Sequence, residues 1–180
     1  MWSRKDSDGD TILVATHVDD SIVTGSNDNK TDTFVREMLD RFDGTCERNL
    51  TEMLGMEWER DIEVGTSNLH QSAFTEQLLK AFGFWQYSKP TKTPQAPGTR
   101  LSNLSAADQP DTPDPVLHRR YRAIVGALGW LNQGTRPDIS QSKFVQRPGQ
   151  KHMDAAEYCL KYLGDRGSVH TLWPHQGWQD

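Results

Sequence analysis

Apolar residues cluster in short β-branched runs near the start of the chain and recur every three to four residues further on, which predicts strands and turns first and helices later. Residues 12–25 (ILVATHVDDSIVTG) hold two Ile- and Val-rich runs around Asp19 and Asp20, a pattern that reads as a β-hairpin with two carboxylates at its tip. Asp6, Asp8 and Asp10 form a turn entering the first strand. Glycine stands at the fourth place instead of the sixth, and His17 stands where a bidentate Glu would close a calcium loop. Phe34, Val35, Met38, Leu39 and Phe42 predict a helix behind the capping residues 26–29 (SNDN), ended by Gly44 and packing one face on the sheet. Residues 53–62 read as a strand, 64–68 as a turn and 69–71 as the return strand of a second hairpin. Phe74, Leu78, Leu79 and Phe82 then share a helix face closed by Gly83.

Between residues 88 and 115 the composition changes: six of the nine prolines fall here among Ser, Thr, Asp and Gly, which suits an extended linker between two lobes. Beyond it, Tyr121, Ile124, Val125, Leu128 and Leu131 make one helix face stopped by Gly134, and Pro137 opens the next helical segment. Met153, Ala156, Cys159, Leu160 and Leu163 mark a further helix, ended by Gly164. The fold class predicted is α+β, with divisions at 1–87, 88–117, 118–167 and a tail at 168–180.

At 180 residues and 34% hydrophobic, the chain can bury one modest core or two small lobes, and marginal stability in isolation is expected. No apolar run approaches the ~18 residues of a membrane span and the polar start lacks a signal-peptide core, so an intracellular protein without a membrane partner is expected. Cys46 and Cys159 lie far apart and read as free thiols, and the six histidines show no zinc-ligand spacing. No nucleophile elbow or phosphate-binding glycine loop occurs. The net charge of −5 is unevenly spread: residues 117–166 carry nine Lys and Arg against four Asp and Glu, a local +5, leaving −10 elsewhere. Of the six tryptophans, Trp130 lies beside an apolar helix face and Trp173 and Trp178 lie in the tail, so core packing or exposure is expected in place of base stacking.

His17, Val18, Asp19 and Asp20, followed by Gly25, resemble the Tyr-x-Asp-Asp hairpin of reverse transcriptases, and later segments resemble copia-type retrotransposon polyproteins in order. These are 53–61 (MLGMEWERD), 69–71 (LHQ), 74–83 (FTEQLLKAFG), 89–94 (KPTKTP), 121–131 (YRAIVGALGWL), 135–139 (TRPDI) and 152–156 (HMDAA) through Tyr162 and Leu163. The resemblance runs from about Asp8 to about Gly167 and implies the C-terminal part of a palm, with its metal hairpin and primer grip, then the first thumb helix, a proline-rich linker and a helical connection lobe. It implies a fragment of an RNA-directed DNA polymerase within a Gag-Pol type polyprotein. Asp19 and Asp20 would be the catalytic and metal-binding residues, holding two Mg2+ ions for nucleotidyl transfer in the complete enzyme. His17, Val18, Leu54, Gly55, Met56 and Lys80 would meet primer and template.

The partners so implied are an RNA template, a DNA primer, deoxynucleoside triphosphates and the remaining polyprotein segments: fingers, upstream palm and ribonuclease H. The location implied is cytoplasm or virus-like particles, with a nuclear stage open. A third carboxylate and the fingers belong upstream of this hairpin in the family, so the chain alone is expected not to polymerise. Two departures stand out: His17 replaces the usual tyrosine, and the segment between Asp138 and Lys143 is about five or six residues short, roughly one and a half helical turns. The alternative readings are a stand-alone nucleic-acid-binding protein derived from a retroelement, without catalysis, and a decayed fragment with no selected activity.

Overall fold

The computed structural model describes residues 1–61, 63–86, 89, 91–99, 114–140, 148–166 and 171–174, with backbone alone at 165–166 and 171–174. The fold is α+β and divides into two compact units, Met1–Met53 and Leu54–Asp180.

In the first unit, β1 (Trp2–Lys5), β2 (Thr11–His17) and β3 (Asp20–Gly25) form an antiparallel meander, followed by α1 (Asp28–Leu39) and a two-residue strand β4 (Glu52–Met53). The strand β1 was not expected. Its register pairs Trp2 with Val14 and Arg4 with Ile12, so the Asp6 to Asp10 turn joins two strands. Asn27 caps α1, accepting from the Lys30 N–H at 3.3 Å. Gly25 sits where a Cβ would come within 2.3 Å of Thr31 Oγ1, so the chain can turn into α1 there only without a side chain. Trp2 stacks on Phe34 with ring centroids 5.6 Å apart. Val14 is the single buried hydrophobic side chain of this unit. The helix ends at Leu39 with Asp40 as its cap, five residues short of Gly44, and leaves Phe42 outside it and 68% exposed.

In the second unit, β5 (Met56–Asp61), β6 (Thr66–His70) and β7 (Thr171–Pro174) are antiparallel neighbours. The single strand expected over 53–62 is broken by Leu54 and Gly55, both at positive φ (53° and 68°), the pattern of a type I′ turn. Ile62 lies outside the described residues. The following turn is shorter than expected, because Thr66, Ser67 and Asn68 pair with Asp61, Arg60 and Glu59 as β6. The expected tail contributes β7, whose backbone pairs with β6.

The core of this unit joins α2 (Ser72–Phe82), α3 (Pro115–Gly134) and α4 (Gln150–Arg166). Gly83 closes α2 in the left-handed conformation, and Asp114 caps α3 ahead of Pro115. Leu78, Leu79 and Phe84 pack with Tyr121, Ile124, Val125, Leu128 and Leu131 of α3 and with Met153, Ala156, Cys159, Leu160 and Leu163 of α4. α2 thus buries its apolar face in the same core as α3 and α4. Gly164 does not end α4 but lies inside it, where a Cβ would stand 3.2 Å from the Phe84 carbonyl oxygen. Pro137 opens only a three-residue 3-10 helix (Pro137–Ile139). The shortened segment expected after Asp138 falls largely on residues 141–147, and most of the proline-rich segment on 100–113, both outside the described residues.

Polar links fasten the sheet side of this unit to its helices. Gln71 makes no side-chain cap bond to α2, because its Oε1 accepts from the Thr135 N–H at 3.1 Å and the Thr135 hydroxyl at 3.0 Å. The Ala73 N–H at the start of α2 donates instead to Glu57 of β5, at 2.9 Å. Gln71→Leu would leave the buried Thr135 hydroxyl without its acceptor, while the N–H keeps the Leu131 carbonyl at 3.1 Å; the change is expected to cost about 1–3 kcal/mol, read as a lower urea midpoint, and an unchanged midpoint would mean that this link contributes nothing to stability.

Candidate active site

The tip of the β2–β3 hairpin is built by register. Six pairs run from Ile12 with Gly25 to His17 with Asp20, leaving Val18 and Asp19 as a two-residue turn. Residues directly opposite in an antiparallel pair share a face, so His17 and Asp20 stand side by side with Asp19 next to them on the turn. Thr16 Oγ1 and Ser21 Oγ are hydrogen-bonded at 3.0 Å just behind the tip. Val18 has φ 55°, a left-handed conformation unusual for a β-branched residue, and is 86% exposed. Such a residue stores strain of about 1–3 kcal/mol, which the ladder behind it must hold. Asp19 and Asp20 are both exposed.

At the other end of the hairpin, Lys30 of α1 draws in the turn between β1 and β2. Its Nζ lies 2.5 Å from Asp6, 2.8 Å from Asp8 and 2.8 Å from Asp10. The Lys30 ammonium holds the Asp6 and Asp10 carboxyls below their ordinary range, against a smaller opposing effect of burial; the three carboxylates, Asp10 foremost, raise the Lys30 pKa in return. Asp10 also accepts from the Ser26 hydroxyl, 3.1 Å, so the cluster spans the start of β2, the end of β3 and α1. The sequence shows the three aspartates, but not the lysine that answers them some twenty residues on.

The other expected contact residues lie in the second unit. Leu54 and Gly55 form the I′ turn and Met56 begins β5. A Cβ on Gly55 would stand 3.3 Å from Trp130 Cζ2, so the indole of α3 lies directly against this turn while remaining 43% exposed. Lys80 is paired with Glu76 one turn earlier on α2, and its ammonium is 5.2 Å from the centre of the Trp85 ring. The structure thus gathers His17, Val18, Asp19 and Asp20 at one tip and Leu54, Gly55 and Met56 at another turn, with Lys80 bound within its own helix. The contact of Trp130 with this turn was not expected from the sequence, which placed the indole only beside an apolar helix face. Its place on the helix face opposite Leu128 was the available signal.

Two exposed carboxylates suit part of a magnesium shell, because that ion takes one or two carboxylates and completes itself with water or phosphate oxygens. A two-ion centre needs a further carboxylate. Among the described residues no group of three His, Cys, Asp or Glu side chains is placed to hold a metal ion. Elsewhere, Arg136 is buried and makes two 2.9 Å bonds to Asp138, which also accepts from the Tyr162 hydroxyl at 2.9 Å; this network joins the 3-10 helix to α4.

Over 91% of its length the chain is 25% identical to the Retrovirus-related Pol polyprotein from transposon TNT 1-94 of Nicotiana tabacum, across 168 residues. It spans 13% of that protein's length. The likeness supports a retroelement-derived polyprotein fragment. No family model matches the chain, and no solved structure does.

Val18→Gly relieves the left-handed valine and is expected to stabilise the hairpin by about 1 kcal/mol, the strain released less the added chain entropy. Slower amide exchange in β2 and β3 would show this; faster exchange would mean that Val18 is not strained. The Asp6 and Asp10 carboxyls, depressed in the folded state, contribute stability that is complete above their ordinary value near 3.9 and is lost as pH falls through their lowered values. Amide exchange in β1 and β2 should therefore accelerate below about pH 4, and Lys30→Met should remove most of that acid sensitivity.

Proposed function

We propose that this chain is part of the reverse transcriptase of a copia-type retrotransposon polyprotein, carrying the second half of the palm with the first thumb and connecting helices. The observation that carries the reading is the tight hairpin that sets Asp19 and Asp20 side by side in solvent, with the strained Val18 between them and His17. The likeness to a transposon polyprotein along nearly the whole chain supports it. Asp19 and Asp20 are the residues that would hold magnesium. When bound, such ions lower the barrier to attack by a primer hydroxyl and balance charge on the departing pyrophosphate.

The chain's own part is to present two carboxylates at a fixed spacing and a planar, hydrogen-bonding ring at His17, close to where a primer end would lie. Leu54, Gly55 and Met56 are the proposed grip on that primer, and Lys80 a contact of the template-primer. The third carboxylate and the nucleotide-binding fingers would come from other segments of the polyprotein, so an RNA template, a DNA primer and deoxynucleotides are partners of the larger enzyme. The exposed arginines of α3 favour a second reading, a nucleic-acid-binding protein without catalysis.

In the longer polyprotein, Asp19→Asn should reduce primer extension on an RNA template by at least about a hundredfold, since one metal ligand is lost. Synthesis at the unmodified rate would overturn the assignment. The 180-residue chain alone should extend no primer.

A further inference from the structure

The outward face of α3 is unusual for a surface helix. Five apolar residues, Tyr121, Ile124, Val125, Leu128 and Leu131, fill the inward face and are buried. Arg119, Ala123, Gly126 and Trp130 follow one another at steps of four, three and four residues, so they lie in one line on the opposite side. Arg122 and Gln133 flank that line, and all six are exposed. The line is about 16 Å long at 1.5 Å per residue, the rise of about five stacked nucleotides.

Its parts differ in chemistry. Arg120, one residue on, is committed: it pairs with Glu157 at 3.1 Å and lies over the Phe82 ring. Arg119 and Arg122 enter none of the ion pairs found among the described residues. Between them and Trp130 the surface is low, since Ala123 is small and a Cβ on Gly126 would meet nothing within 4 Å. Trp130 closes the line with an indole that is 43% exposed yet backed on one edge by the Gly55 turn. A ring held in place loses little freedom when a flat partner stacks on it.

We infer that this face of α3 binds single-stranded nucleic acid, with phosphates at Arg119 and Arg122, the backbone crossing Ala123 and Gly126, and a base stacked on Trp130. Two exposed cations at one end and one aromatic plate at the other fit a polyanion with flat bases. A protein helix would instead need apolar anchors repeated along the strip, and Ala123 and Gly126 supply none. The local excess of basic residues over 117–166 is of the matching sign. The inference rests on the proposed function only in taking nucleic acid as the partner.

The test uses the whole chain and a fluorescent oligo-dT of about 12 nucleotides, within the range of single-strand site sizes, followed by anisotropy. Trp130→Ala should weaken binding about tenfold, the loss of one stacked base, and Trp130→Phe should recover most of it. Gly126→Glu, which enters open space and should leave the far-UV circular dichroism unchanged, should weaken binding comparably. Arg119→Gln with Arg122→Gln should flatten the salt dependence by about 1.4 units of slope, two phosphates on a single strand. Wild-type affinity in both Trp130→Ala and Gly126→Glu, no binding at all, or displacement by polyglutamate as readily as by unlabelled oligo-dT would each overturn the inference. The polymerase reading is judged separately, by Asp19→Asn in the polyprotein. DNA synthesis indifferent to Asp19 would sink that reading while leaving Trp130-dependent binding in place.

Discussion

The inward packing of α3 is the constraint on which the second unit depends. Ile124, Leu128 and Leu131 are fully buried, and they fix the rotation of the helix about its own axis. Any other rotation would place Arg119 or Arg122 among Leu79, Leu160 and Leu163, where an unpaired charge is costly. That same rotation turns Trp130 outward, against the Leu54 and Gly55 turn. The helix end is then tied to the start of α2 by Gln71 and Thr135, which links the sheet side of this unit to its helical side.

The first unit is held differently. With Val14 as its single buried hydrophobic side chain, it draws its order from the strand ladder, the Trp2 and Phe34 stack, and the Lys30 cluster. One ammonium shared by three carboxylates leaves excess negative charge at that end of the hairpin. Exposed ion pairs contribute little each, which agrees with a unit that borrows rigidity from its register. The strain at Val18 is sustained by that register, because slipping by one residue would turn every side chain of β2 to the other face.

Taken together, the two units offer different chemistry. One displays a pair of carboxylates on a tight turn, and the other an aromatic and basic helix face. Under the proposed reading the two would serve different ends, the carboxylate pair as part of a metal-binding tip and the helix face as a surface for a polyanion.

Local pattern settled much of this protein in advance. The β2–β3 hairpin with Asp19 and Asp20 at its tip, the closure of α2 by Gly83 and the buried face of α3 were legible because each rests on neighbours within a few residues. Helix ends were less so: Gly44 and Gly164 look like terminators, yet α1 stops five residues before Gly44 and α4 runs through Gly164, whose missing side chain serves a close approach to Phe84. The break at Leu54 and Gly55 was hidden because a leucine at positive φ leaves no mark in composition. Lys30 meeting Asp6, Asp8 and Asp10, Glu57 capping α2 from a strand, Gln71 reaching Thr135, and Trp130 leaning on Gly55 all join residues distant along the chain. Such pairings were decided only by the tertiary structure, because spacing along a sequence carries no information about which helix rotation or strand register brings two far segments together.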